Sequence, residues 1–131
     1  MAKVNGAVAG GVFHTYTPLN AVTATTTSDP INIGGAKRVS FIFTRANHSA
    51  GSSAFSVEVS FDGTTWVAYN KLIANVANSN AQQLTRQAAP TLSSNTSEIF
   101  TMDPDDAFPL VRVKVTETTD GTHTAKVHLN S

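Results

Sequence analysis

Nine acidic side chains and four histidines are the groups in this 131-residue chain that could move protons or hold a metal. Three of the acids crowd into Asp103-Pro104-Asp105-Asp106, where carboxylate oxygens could gather around calcium. The spacing completes no calcium loop, and Asp-Pro-Asp is ordinary turn chemistry. A retaining glycosidase needs two carboxyl groups about 5 Å apart across a cleft, whereas most acids here fall in expected turns. His123 and His128 fall on opposite faces of a regular strand and cannot share one ion. With His14 and His48 they read as exposed strand or loop histidines. No G-x-S-x-G elbow is present, and no phosphate-cradling glycine motif follows a strand. Cys is absent, which removes thiolate chemistry and disulfide frameworks. We expect no enzyme, no metal and no cofactor.

One stretch does resemble part of an enzyme. Ser60-Phe61-Asp62-Gly63-Thr64-Thr65-Trp66 is similar to the Asp-box, S-x-D-x-G-x-T-W, of catalytic domains that cleave sialic acid. It is one residue short, because Asp62 and Gly63 are adjacent, and it occurs once. The box is itself a structural hairpin, so the Asp62 carboxylate is expected to accept backbone N–H bonds in a turn. Asp62-Gly63 and Asp120-Gly121 are therefore taken as two hairpin turns. At the second, a three-residue Thr119-Asp120-Gly121 loop aligns Val115 with Ala125, Val113 with Val127 and Val111 with Leu129, with Gly121 left-handed. At the first, an even loop puts Trp66 on the face of Val57, Val59 and Phe61. An odd loop turns it to the Glu58 and Ser60 face, where it could meet a sugar or protein. Burial of the largest apolar side chain favours the even loop.

The elements that must position these residues are strands. Charged residues are 14% of the chain, against roughly 25% in typical domains, and 18 Thr help to fill the gap. Such β-branched, uncharged composition suits a pleated surface. Val12 to Thr17 reads as a strand that stops at Pro18. Arg38 to Thr44 is the most apolar strand and is expected to be buried on both faces. Ala54 to Phe61 alternates cleanly and is expected to be half-buried. Residues 71 to 86 read as two strands about a polar turn, and Leu110 to Glu117 and Thr122 to Asn130 close the chain. We expect one all-β domain over residues 12–131, an antiparallel, jelly-roll-like β-sandwich of about eight to ten short strands. Its core should include Phe41, Phe43, Val57, Val59, Trp66, Val113 and Val127. Residues 1–11, glycine-rich and without a period, should form a flexible N-terminal arm. Asn5 and Gly6 break its apolar stretch, so it is a poor secretion signal, and the sequons at Asn47 and Asn95 are read as chance matches.

Charge narrows the partners. Nine basic and nine acidic residues leave no net charge and no basic run, so nucleic acid is not expected. Apolar runs fall short of the ~20 residues of a membrane helix. Arg112 and Lys114 share a strand face that could meet an acidic partner, although a solvated face is the simpler reading.

The runs "FSVEVSFDGTTWVAYNKLIANVANSNAQQLTR" and "FPLVRVKVTETTDGTHTAKVHL" resemble small virion proteins of tailed bacteriophages, above all the capsid decoration, or cement, proteins. The resemblance covers Ala54 to Leu129 and rests on the S-x-D-G-x-x-W hairpin, the Asn-rich Leu-Thr-Arg segment and the closing hairpin. It implies a structural protein, commonly a homotrimer, on the capsid exterior of the virion and made in the host bacterial cytoplasm. Such a protein binds the major capsid protein of an assembled head and bridges coat subunits. Lys3, Val4, Val8 and Val12 of the arm would then contact the capsid or a neighbouring subunit. The alternative is a carbohydrate- or receptor-binding β-sandwich module of a tail or baseplate.

Overall fold

The computed structural model of the chain describes residues 7–8, 11–75, 83–104, 106 and 108–130. Its strands are, in order, β1 (Ala7–Val8), β2 (Gly11–Val22), β3 (Thr26–Thr27), β4 (Ile31–Asn32), β5 (Arg38–Ala46) and β6 (Ser53–Ser60). There follow β7 (Val67–Ala68), β8 (Lys71–Asn75), β9 (Gln83–Gln87), β10 (Thr91–Leu92), β11 (Thr96–Thr101), β12 (Leu110–Glu117) and β13 (Thr122–Asn130). One sheet has the order β1-β2-β13-β5-β11. The other has the order β10-β6-β12-β3, with β4 also on β12 and β7 also on β6. Among the described residues β8 and β9 pair only with each other, and the polar turn expected between them lies outside those residues.

The chain passes between the sheets at nearly every connection: β2 first, β3 and β4 second, β5 first, β6 second, β11 first, β12 second, β13 first. All pairs are antiparallel. This is a jelly-roll sandwich. Its inner faces come from alternate residues of each strand. Val39, Phe41 and Phe43 of β5 and Ala125, Val127 and Leu129 of β13 face Phe55, Val57 and Val59 of β6 and Val111, Val113 and Val115 of β12, and all of them are buried. Phe43 meets Phe55 across the sandwich at a centroid separation of 4.7 Å. Each fully buried side chain of this size stabilises the fold by roughly 1.5–3 kcal/mol.

Four expectations change. First, β12 and β13 are not a hairpin. Val115, Val113 and Val111 pair with Phe55, Val57 and Val59, while Ala125, Val127 and Leu129 pair with Phe43, Phe41 and Val39. Asp120-Gly121 is thus a crossing between sheets. Valines on one face need only be covered, and a facing sheet covers them as well as a strand alongside would. Gly121 is left-handed, at φ 113°. Second, β5 is buried on one face only, and Ile42 is 44% exposed on the other. Third, β2 continues through Pro18 to Val22. Its pairing with β13 slips between Tyr16 and Leu19, and this bulge accommodates a residue with no N–H.

The fourth concerns Trp66. Val59 pairs with Val67 and Glu58 with Ala68, which makes the connection odd. Trp66 is therefore outside the core, half-buried on the Glu58 face, while Tyr69 turns inward and is buried. The Arg112 guanidinium lies 4.3 Å from the Trp66 ring centre, and Arg112 Nε donates to Glu58 Oε1 at 2.6 Å. A charged lid holds the indole there, whereas the sequence argument weighed only its apolar area. Trp66→Ala should cost about 1 kcal/mol, the scale of one exposed cation–π contact. Urea unfolding would check this, and a loss above about 3 kcal/mol would place the ring in the core. Native Trp66 emission should be red-shifted and readily quenched.

At the N-terminus, Ala7 pairs with Val12 and Val8 with Gly11, so the backbone of Val8 and Val12 belongs to a short β1–β2 hairpin. Lys3 and Val4 lie outside the described residues.

Candidate binding cleft beside the Asp62 turn

The Asp62 turn is built by two short side chains. Asp62 Oδ1 accepts from Thr64 N at 2.8 Å, from Thr65 N at 2.9 Å and from Ser60 Oγ at 3.1 Å. Ser60 Oγ in turn accepts from Gly63 N at 2.9 Å. Gly63 takes φ 80°, where a side chain would be strained. The N–H bonds from Thr65 and Thr64, then the Ser60 hydroxyl, hold the Asp62 carboxyl below the usual range. The bond from the Ser49 hydroxyl and then the one from the Ser49 N–H do the same for Asp120. A carboxyl whose folded pKa is depressed contributes stability that is fully present above the unfolded value, ~3.9. That contribution is lost as pH falls through the folded pKa. Acid should therefore loosen both turns only below about pH 4. The Thr64, Thr65 and Ser49 amide resonances in an NMR titration would report it, and a midpoint above the ordinary Asp value would contradict the assignment.

Beside the turn is a cleft of about 540 Å³ whose walls include Val59, Phe61, Val67, Tyr69, Arg86 and Phe108. Phe61 is 77% exposed and stacks on Phe108 at 5.6 Å. Tyr69 meets Phe108 edge-on at 5.9 Å. The acidic turn after β11 closes the floor. Tyr69 Oη donates to Asp106 Oδ2 at 2.6 Å and accepts from Asp103 N at 2.9 Å, while Asp103 Oδ2 accepts from Leu72 N. Burial first, then the bond to Asp106, push the Tyr69 phenol well above its ordinary value, so it stays neutral. Asp103 and Asp106 thus anchor Tyr69 and the start of β8. Among the described residues no group of three His, Asp or Glu could hold a metal ion.

The opposite end of the sandwich is tied by Arg45. Its side chain is buried, and it donates to the carbonyls of Gly51 at 2.8 Å, Ala50 at 2.7 Å, Leu92 at 3.2 Å and Asp120 at 3.3 Å. Asp120 completes the knot by accepting from Ser49 N and Ser49 Oγ. Gly51, at φ 75°, leaves no room for a Cβ against Thr119. His123, expected to be exposed, is buried, and its Nε2 lies 2.6 Å from Glu117 Oε2. His128 meets Thr15 across the strands.

Sequence reasoning missed both Arg45 and the aromatic cleft. Arg45 had a signal: it shares parity with Phe41 and Phe43 and so faces inward. The cleft had none, because Phe61, Tyr69 and Phe108 meet only through the fold. Of the core expectations, Phe41, Phe43, Val57, Val59, Val113 and Val127 are buried, and Trp66 is not. Asp62, Asp103, Asp106, Asp120, Glu58, Glu117, Arg45 and His123 serve as structural ties. What the cleft offers is an apolar, aromatic surface with carboxylates at its rim, which is equipment for binding.

No protein-family model and no curated protein matches the chain. Among solved structures it is similar to the SPBc2 prophage-derived protein YomS, with a TM-score of 0.65 and 15% identity over 97% of this chain and 100% of that one. A structure of infectious bursal disease virus, Gx strain, aligns at a TM-score of 0.43 and 7% identity, over 92% of this chain and 32% of that one. The first likeness is one of fold along the whole length of both chains.

Proposed function

We propose that the protein is a structural virion protein of a tailed phage, a capsid decoration protein that binds the outside of the assembled head and bridges coat subunits. The observation that carries this reading is the jelly roll itself, which matches a prophage-derived protein from end to end. It is supported by the way Asp62, Asp103, Asp106 and Asp120 serve as structural ties while large apolar side chains stay exposed, two pairs of them close together. One is Ile42 and Ile99 on the outer face of the first sheet; the other is Phe61 and Val67 at the cleft. A bridging protein needs two such surfaces. Its partner is the major capsid protein, and it works as a homotrimer on the virion exterior after synthesis in the host cytoplasm. Three attachment points per trimer make binding multivalent, and preference for the assembled shell stabilises that shell by linkage. Mixing the protein with empty phage heads and imaging them should show density outside the shell. Removing residues 1–11, with Lys3, Val4 and Val8, should weaken that binding at least tenfold and leave the melting transition in place. Unchanged binding would remove the arm from the interface.

The exposed aromatic cleft favours a second reading, a carbohydrate- or receptor-binding module of a tail or baseplate. Binding of isolated host-surface glycans together with no binding to heads would select it.

A further inference from the structure

Aromatic rings in this molecule already hold cations. Arg112 lies over Trp66 at 4.3 Å, and the Glu58 carboxylate bonds the same guanidinium. Lys71 Nζ stands 5.6 Å from the centre of the Phe100 ring. An aromatic ring carries negative potential on its face, and a carboxylate beside it adds to the attraction. The cleft beside the Asp62 turn has the same two ingredients. Phe61 is largely exposed and Phe108 backs it at 5.6 Å, while Asp62 and Asp106 are both in the lining. Among the described residues no cation stands over either of these rings.

Both carboxylates keep acceptor capacity beyond their structural bonds. The Asp62 side chain accepts through Oδ1 and that of Asp106 through Oδ2, and among the described residues the second oxygen of each accepts no hydrogen bond. The Thr65 and Thr64 N–H bonds that lower the Asp62 pKa keep that carboxyl charged. One cation opposes them. Arg86 lines the cleft, but its Nη1 donates to the Asn70 carbonyl at 3.2 Å, which anchors it to the backbone at one wall. Two carboxylates against one guanidinium leave the lining net negative. That sign disfavours a carboxylate or phosphate group. The exposed ring favours a flat, weakly hydrated cation over a compact ammonium. The volume, about 540 Å³, lies within the usual range of ligand pockets, roughly 300–1,000 Å³.

We propose that the cleft is an arginine-binding site, in which a guanidinium carried by the partner protein stacks on Phe61 beside Asp62 and Asp106. This rests on the virion reading for the identity of the partner, the coat protein, and goes beyond it by naming the group that the cleft recognises. Phe61 then does for a partner what Trp66 does within the chain. A charged contact of this kind fixes register and rejects wrong partners more than it adds affinity.

Ethylguanidinium and ethylurea test the assignment, because they are close in shape and differ in charge. In an NMR titration of the full chain at low salt, ethylguanidinium should shift the ring resonances of Phe61 and Phe108. It should bind about threefold tighter than ethylurea, the factor expected of one exposed cation–π contact. Phe61→Leu keeps an apolar side chain without a π face and should lower that ratio about twofold or more. Arg86→Gln removes the opposing cation and should tighten ethylguanidinium about twofold. Both positions are exposed, so the melting transitions should not move. If Phe61→Leu fails to fold, Arg86→Gln carries the test alone. Equal binding of the two probes overturns the proposal, as does a ratio that Phe61→Leu leaves unchanged. Acetate binding that Arg86→Gln abolishes also overturns it, since the cleft would then be an anion site. The virion reading fails separately. A protein that binds ethylguanidinium and ignores phage heads loses only the virion assignment. One that decorates heads and binds both probes alike loses only the arginine site.

Discussion

Arg45→Ala should lower the unfolding free energy by about 4 kcal/mol, because it empties a buried site and leaves one buried and three part-buried carbonyls without their donor, each at about 1–3 kcal/mol where water cannot reach. Four carbonyls, those of Ala50, Gly51 and Asp120 in loops and Leu92 in β10, depend on this guanidinium. Partial entry of water keeps the total below the sum of the four. Arg45→Met isolates the cause. It restores most of the bulk but none of the donors, so its loss should approach that of alanine. Arg45→Lys keeps a charge and three donors on a shorter reach and should recover part of the stability. Urea unfolding of the three variants checks the order. A methionine variant as stable as wild type would show that Arg45 acts by filling space.

Phe43→Ala should be comparably damaging, at about 3–5 kcal/mol, the usual range for emptying a buried phenylalanine site. Phe43 is fully buried, stacked on Phe41 at 5.7 Å and in contact with Phe55 of the opposite sheet. Its ring is thus part of both the packing along β5 and the contact between sheets. Against a typical total of about 5–15 kcal/mol, the variant would sit near the edge of folding at 37 °C. Thermal unfolding measures it, and a melting temperature within a few degrees of wild type would mean that the sheets close over the void.

The contrast between Phe43 and Trp66 shows how far the sequence could be read. Alternation placed Phe41, Phe43, Val57, Val59, Val113 and Val127 on inward faces, because a strand has only two faces and one pattern. It did not fix which strand lies beside which. Val113 and Val127 satisfy the same rule whether their strands are neighbours or face each other across the sandwich. Trp66 was misplaced for a related reason. Loop parity decides its face, and that parity came from Val59 pairing with Val67 rather than from the appetite of an indole for burial. Arg45 was visible by parity but not by chemistry, since its carbonyl partners come from two separate loops and from β10. The cleft was invisible, as its walls are assembled from residues spread between Val59 and Phe108.

The order of the first sheet also bears on how the protein is made. β13 lies between β2 and β5, yet it follows both in the sequence. Thr15 and His128 meet across 113 positions. High contact order slows folding, and here the slow step has a definite place. A nascent chain that has emerged through residue 117 holds β2 and β5 with no strand to join them. β5 can already pair with β11, but β2 joins them only when the nine residues of β13 arrive. Ribosome-bound chains stalled before Thr122 should remain protease-sensitive, and emergence of β13 should be the event that commits the chain to its fold.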